Sequence, residues 1–175
     1  MAKNLIKVQF RRRRENRTNY ASRAKMLYGG TARLVVRRTN RYLVAQVVTS
    51  ETAQDKVIFT ANSKELIGYG WPETVSIKNL AAGYLLGTLV AAKAKKNKIE
   101  KAVLDLGLFR SSKGSRLYAI VKGAADAGFD VPHSAEILPP MERIDRKDAK
   151  VKVDIKKIKE NILSKNKYAY DLINI

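Results

Sequence analysis

Residues 10–25, FRRRRENRTNYASRAK, carry the side chains best suited to binding phosphates and bases. Guanidinium groups bind phosphate oxygens in pairs and stack on bases, and the interleaved hydroxyl, amide and aromatic groups suit contacts with unpaired bases. The candidate contact residues of this segment are Arg11, Arg12, Arg13, Arg14, Arg17, Tyr20, Arg23 and Lys25. Because residues 1–25 also lack an apolar period, we expect a nucleic-acid-binding arm that becomes ordered on its partner.

A second basic cluster surrounds an expected turn between two strands. Its candidate contact residues are Arg37, Arg38, Asn40, Arg41 and Tyr42. Arginines at a hairpin tip are able to enter a groove or clasp a nucleic-acid backbone. A plain exposed hairpin has the same composition, so this alternative stays open.

A third basic cluster lies in residues 110–116, just before an expected helix. Its candidate contact residues are Arg110, Ser112, Lys113, Ser115 and Arg116. Free amides and the helix dipole at such a helix start attract phosphate. The residues do not have the order of a nucleotide-binding P-loop, so we expect a contact with backbone phosphate and no ATP site.

Side chains suited to catalysis are few. The sequence has no cysteine and one histidine, His133, which excludes thiolate zinc sites, cysteine nucleophiles and most histidine-based acid–base chemistry. Asp105 could belong to a metal-dependent nuclease, but such a site needs several converging carboxylates, and only Glu100 is near it in residues 91–123. We expect Asp105 to have a structural role, accepting loop amides or pairing with Arg110. No catalytic residue, metal site or cofactor is predicted.

The positive charge is concentrated in parts of the chain. The 175 residues include 35 Lys and Arg against 16 Asp and Glu, a formal net charge of +19. Basic and acidic residues number 13 and one in residues 1–41, three and four in 42–90, nine and two in 91–123, and ten and nine in 124–175. A solvated surface normally mixes its signs, so the N-terminal excess indicates a polyanionic partner.

Nucleic acid is a better candidate for this polyanion than a membrane. The longest uncharged stretch near the basic regions, residues 80–92, is shorter than the about 20 residues needed to span a bilayer. The N-terminus lacks the pattern of a secretory signal, because Lys7 and Gln9 interrupt its apolar residues. We therefore expect a cytoplasmic protein.

The apolar pattern predicts a sheet followed by helices. Residues 32–38, 42–49 and 56–60 are rich in β-branched, aliphatic and aromatic residues and have short polar connectors, which predicts an antiparallel meander. A further short strand is expected at residues 101–106 and a helix at about 115–127.

A long helix is expected between these two groups of strands. Its apolar residues recur at spacings of three and four, which predicts a helix from an N-cap at Ser76 to about Lys96. Gly83 and Gly87, four residues apart, are expected to let this helix approach the sheet closely. Tyr84 is expected to be a packing residue, as is Trp71, which precedes the helix.

Together these elements predict an α+β fold. The sheet is expected to be mixed but mostly antiparallel, a three-strand meander plus a further strand, with helices packed on one face and a basic extended N-terminal arm. We expect the arm at residues 1–30, the core domain at 31–140 and a charged C-terminal extension at 141–175. A helix is expected in this extension, especially at residues 154–163.

Several blocks of the sequence carry a more specific resemblance. They are FRRRRENRTNYASRAKML, ARLVVRRTNRYLVAQVV, SIKNLAAGYLLG and KAVLDLGLFRSSKGSRLYAIVKGAADAGFDVPHS. Their order and content resemble the large-subunit ribosomal proteins of the L-eighteen family, in the archaeal form that is related to the eukaryotic L-five protein. The resemblance covers roughly residues 5–140.

This resemblance implies a structural, non-enzymatic component of the large ribosomal subunit. It implies binding to 5S rRNA in the central protuberance, contact with 23S rRNA, and a position beside other ribosomal proteins, including the counterpart of the bacterial L-five family, as a monomer within the ribosome. It also implies that the three basic clusters contact RNA. Another RNA-binding module and, less favoured, a metal-dependent nuclease are the alternatives.

Overall fold

The computed structural model describes residues 8–51, 54–145 and 153–171. Its strands are β1 (Arg33–Arg38), β2 (Leu43–Glu51), β3 (Gln54–Asn62) and β4 (Val103–Asp105). They form one sheet in the order β3-β2-β1-β4. The pairs β1/β2 and β2/β3 are antiparallel, whereas β1/β4 is parallel. The predicted mixed sheet, a meander plus a further strand, is confirmed.

The helices lie mainly on one side of this sheet. They are α1 (Arg11–Arg14), α2 (Tyr20–Tyr28), α3 (Leu80–Lys96), α4 (Arg116–Asp126), α5 (Met141–Ile144) and α6 (Ile155–Asp171), with 3-10 helices at Ser63–Tyr69 and Ala135–Ile137. The predicted α+β fold is confirmed. Among the helices that the structure describes, none is both long and apolar enough to cross a membrane.

The two faces of the sheet differ because side chains alternate along a strand. Leu34 and Val36 of β1, and Leu43 and Ala45 of β2, are fully buried in the core beneath the helices. The alternate positions of β1, including Arg33, point to the opposite face, which the long helices leave open. A polar network occupies part of this open face.

The long helix α3 begins later than its sequence predicts. Asn79 is the N-cap, and its side chain accepts a hydrogen bond of 2.7 Å from the backbone N–H of Ala82. The expectation of an N-cap at Ser76 is therefore wrong by three residues. The apolar spacing continues upstream of the helix, whereas the capping hydrogen bond determines where the helix begins.

Glycines let α3 approach α4 and not, as predicted, the sheet. A Cβ atom on Gly87 would overlap the carbonyl oxygen of Ile120, and one on Gly123 would overlap that of Tyr84. A Cβ atom on Gly83 would also lie 2.9 Å from a backbone oxygen of α4. The two helix backbones are therefore in direct contact, which no larger residue allows at these positions.

The predicted C-terminal helix is confirmed as α6, which packs against α3. Ile158 and Ile162 of α6 are buried in the common core. At its surface, Lys159 Nζ donates to the Tyr84 hydroxyl over 3.1 Å, and this hydroxyl donates to Asp126 over 3.0 Å. Burial raises the pKa of Tyr84, although Lys159 opposes this shift, so the phenol stays protonated and able to donate. The described part of the extension thus belongs to the same core.

The N-terminal arm contains two short helices where the sequence shows no apolar period. Neither α1 nor α2 has a buried residue. Asn19 caps α2 by accepting from the backbone N–H of Ser22 over 3.1 Å. Local capping therefore shapes the arm, while packing against the core is slight.

Candidate RNA interface

The parallel pairing of β1 and β4 places two basic segments at one end of the sheet. In this pairing Arg33 lies opposite Val103, and Val35 lies opposite Asp105. Since parallel neighbours end at the same edge, the hairpin after β1 and the loop after β4 are adjacent. The second and third basic clusters therefore meet, although about 70 residues separate them in the sequence.

Asp105 organises this end of the sheet. Its carboxylate pairs with Arg33 and Arg37, each over 3.1 Å, and accepts from the backbone N–H of Gly107 over 2.7 Å. The expected structural role with a loop amide is confirmed, but the expected partner Arg110 is wrong. Arg33 and Arg37 lie on the neighbouring strand, which local sequence cannot reveal.

The buried Arg33 was not among the predicted site residues. It is only 3% exposed and also bonds Asp55 over 2.6 Å and the Ser50 hydroxyl over 3.0 Å. The other carboxylate oxygen of Asp55 pairs with Arg23 of α2 over 3.0 Å. Burial acts to raise the pKa of Asp55, but the hydrogen bonds of Ser50 and Arg33 and the charges of Arg33 and Arg23 hold that pKa below its usual value.

This chain of ion pairs fastens the arm to the open face of the sheet. Arg23 contributes the arm's side of the contact and is therefore a positioning group as well as a candidate RNA contact. Arg37 resembles it in this respect, because its guanidinium also donates to the carbonyl oxygens of Val36 and Asp105, over 2.9 and 2.7 Å. Arg23 and Arg37 therefore have fewer N–H donors available for RNA than an arginine without contacts inside the protein would have.

A cleft of about 410 Å³ lies between the arm and the sheet. Arg12 and Arg17 line it from the arm, and Arg37 lines it from β1. Arg12 is held by a hydrogen bond of 2.8 Å from its Nε to the Thr18 hydroxyl. The Tyr20 ring packs on Phe10 with a centroid distance of 5.2 Å. The remaining predicted arm residues, Arg11, Arg13, Arg14 and Lys25, are exposed.

The hairpin tip after β1 is a closed turn. The Thr39 hydroxyl accepts from the backbone N–H of Tyr42 over 2.9 Å. Lys78 donates to the Asn40 carbonyl oxygen over 3.0 Å, which ties the tip to the segment before α3. Asn40 and Arg41 are exposed and Tyr42 is half-buried, so these predicted residues are accessible at the same end of the molecule.

A second cleft, of about 570 Å³, joins the hairpin to the loop before α4. Its cationic lining residues are Arg38, Lys78, Arg110, Arg116 and Arg143. Arg38 also lies over the Phe109 ring, 5.7 Å from its centroid. Of the predicted loop residues, Ser112 and Ser115 line the cleft, whereas Lys113 points to Glu136 on the surface over 3.3 Å.

Two of these cations, Lys78 and Arg143, were not predicted. Both are single charges outside any basic run in the sequence. No local signal distinguishes them, because the cleft forms only when the hairpin, α3, α4 and α5 come together. These two cations line one cleft together with the hairpin and the loop before α4, whereas the arm and Arg37 line the other. We call the basic side chains of the two clefts the basic band.

Potential metal ligands are not clustered in the part of the chain that the structure describes. The described residues contain no group of three or more His, Cys, Asp or Glu side chains placed to hold a metal ion. His133 has its Nδ1 2.6 Å from the Val131 carbonyl oxygen, a local contact within its loop. Trp71 and Tyr84 are buried, as predicted for packing residues.

Comparison with known proteins shows which family this chain resembles, independently of its structure. The family of ribosomal large subunit proteins 60S L5 and 50S L18 matches residues 4–100 and 92–134. A large ribosomal subunit protein uL18 of Korarchaeum cryptofilum is 54% identical over 138 residues, which cover 79% of this chain and 70% of the relative. The uL18 proteins of Methanoregula boonei and Methanospirillum hungatei are 47% and 46% identical, covering 78% of this chain and 78% and 77% of the relatives.

Proposed function

The chain belongs to the family of ribosomal large subunit proteins 60S L5 and 50S L18, and from this membership we propose that it binds 5S rRNA and helps to attach it to 23S rRNA in the central protuberance. Its general role, as distinct from the particular RNA that it binds, follows from the family itself. It is a structural component of the large ribosomal subunit and not an enzyme.

The observation that carries the proposal is the basic band, in which side chains of the three basic clusters line two clefts. The arm, the hairpin and the loop before α4 are separate in sequence but adjacent in the fold. Such a band suits a folded RNA, whose backbone presents phosphates over a wide surface, better than a small anionic ligand. The exposed arginines of α1 add groups that stack on bases as well as bind phosphate.

The opposite end of the chain has a different charge balance. Residues 124–175 hold ten basic and nine acidic side chains. This balance suits contacts with neighbouring ribosomal proteins, among which we propose the counterpart of the bacterial L-five family. In this arrangement the band holds RNA while other surfaces face protein, and the chain is present as a single copy.

Selective retention of RNA tests the proposal. The protein is incubated with total rRNA and tRNA at about 200 mM salt, where nonspecific phosphate contacts are weakened, and the retained RNA is identified. We expect 5S rRNA to be enriched over tRNA. Equal retention of both would contradict the 5S assignment and favour a general RNA-binding module.

A footprint then tests where the RNA lies. Residues 11–14 and the loop before α4 should be protected from modification of their basic side chains when 5S rRNA is bound. Protection of α6 alone, with the band still reactive, would contradict the proposed interface.

A further inference from the structure

The cleft beside α4 concentrates positive charge without neutralising it. Five cations from four parts of the chain line it, and no carboxylate of the described residues does so. Like charges gathered in a partly enclosed space repel each other and attract an anion strongly. An anion bound in the cleft would relieve this repulsion.

Several of these cations have N–H donors that make no hydrogen bond within the described part of the chain. Among the described residues, neither Arg110 nor Arg143 has a hydrogen bond or an ion pair from its guanidinium group. Arg116 and Lys78 each donate once, to the carbonyl oxygens of Lys78 and Asn40. Since a guanidinium carries five N–H donors, most of the cleft's capacity to bind an anion is unused within the described part of the chain.

The start of α4 adds a second, independent feature. Ser115 occupies the N-cap position, but its side chain makes no capping hydrogen bond. Its hydroxyl oxygen is inaccessible to solvent and has no partner in the described part of the protein. The adjoining backbone N–H groups of Arg116 and Leu117 also lack an acceptor there. A buried hydroxyl and free amides beside five cations form a complementary set of phosphate donors.

Arg143 is held at this cleft by its neighbours. Ile144, the next residue, is 1% exposed and fixes α5 in the core. The guanidinium of Arg143 lies over Gly114, where a Cβ atom would be 2.7 Å from its Nη1. Gly114 has a φ of +66° and donates its N–H to the Ile137 carbonyl oxygen over 2.8 Å. The position of Arg143 is thus set by packing and by the absence of a side chain beneath it.

We propose that this cleft binds phosphate groups of the RNA backbone and that Arg143, from the segment that follows the predicted core domain, is a direct phosphate ligand together with Lys78. This inference rests on the proposed rRNA-binding function and extends it to a segment whose charge is nearly balanced. Arg110 and the start of α4 line the same cleft and supply further donors for the phosphate.

The test compares two single-charge changes in the full chain. Arg143→Gln removes the proposed ligand, whereas Lys156→Gln removes one charge from the exposed surface of α6, outside the cleft. Binding of transcribed 5S rRNA is measured from 50 to 200 mM salt. We expect Arg143→Gln to weaken binding about tenfold, equivalent to one charge-assisted hydrogen bond, and to lower the salt slope by roughly 0.7–0.9. Lys156→Gln should have little effect.

Phosphate ethylation makes the contact visible. In the unaltered protein, ethylation at particular phosphates of 5S rRNA should interfere with binding, and Arg143→Gln should remove this interference at one or two of them. Unaltered protein that binds 5S rRNA no better than tRNA would overturn the proposed function. Preferential binding with an unchanged affinity, salt slope and interference pattern for Arg143→Gln would overturn this inference alone.

Discussion

Replacing the four arginines of α1 (Arg11–Arg14) by glutamine should weaken RNA binding and leave the fold intact. All four side chains are exposed, and α1 has no buried residue. Arg11 is 3.6 Å from Glu15, an exposed pair of little energetic value. Surface changes of this kind alter the free energy of unfolding by about 0.5 kcal/mol or less.

The effect on binding follows from the number of phosphates neutralised. Each phosphate contact contributes roughly 0.7 to 0.9 to the slope of log K against log salt concentration. If all four arginines contact phosphate, the slope should fall by about 3. Between 50 and 200 mM salt, a fourfold change, the affinity of the unaltered protein should then fall roughly 60 times more than that of the variant.

The assay is a titration of labelled 5S rRNA at several salt concentrations. A matched control replaces Lys95, Lys96, Lys156 and Lys157 by glutamine, which removes the same charge from exposed positions of α3 and α6. We expect the control to retain most of the salt slope. Equal losses of slope in both variants would refute the reasoning, because net charge and not its position would then govern binding.

Three further predictions concern the scaffold. Asp105→Asn should lower the free energy of unfolding, measured by urea denaturation, by about 3 kcal/mol, because it leaves two arginines without a shared carboxylate. The control Asp130→Asn, at an exposed position, should change this free energy little. Equal effects of the two variants would contradict the role of the ion-pair network. Gly123→Ala should destabilise the folded protein by about 3 kcal/mol, because the added Cβ atom meets the rigid backbone of α3. The control Gly68→Ala, which has open space around it, should be nearly neutral in the same thermal or urea unfolding experiment. Because the pKa of Asp55 is lowered in the folded state, its stabilising contribution is present above about pH 4 and is lost as the pH falls further. Asp55→Asn should therefore reduce the loss of stability that the protein shows between about pH 4 and lower pH. An unchanged loss of stability in the variant would be inconsistent with this pairing.

Local patterns in the sequence were sufficient to predict the four strands and the helices α3, α4 and α6. The β-branched, aliphatic and aromatic residues of 32–38 and 42–49 predict β1 and β2, and spacings of three and four predict α3, because both signals act between near neighbours. The basic runs at residues 11–14 and 110–116 indicate polyanion binding without reference to any fold. The start of α3 was misplaced because a cap depends on one hydrogen bond, which periodicity does not encode.

What the sequence determined by itself is therefore the kind of fold, the basic character of three segments and the family blocks that point to a ribosomal role. Only the tertiary structure decided which groups act together. The parallel pairing of β1 with β4 brings the Arg38 hairpin to the loop of Arg110, and the docking of α5 adds Arg143 to the same cleft. It also buries Arg33 against Asp105, 72 positions away. These contacts join residues that are distant along the chain, and composition and spacing report only on residues that are close.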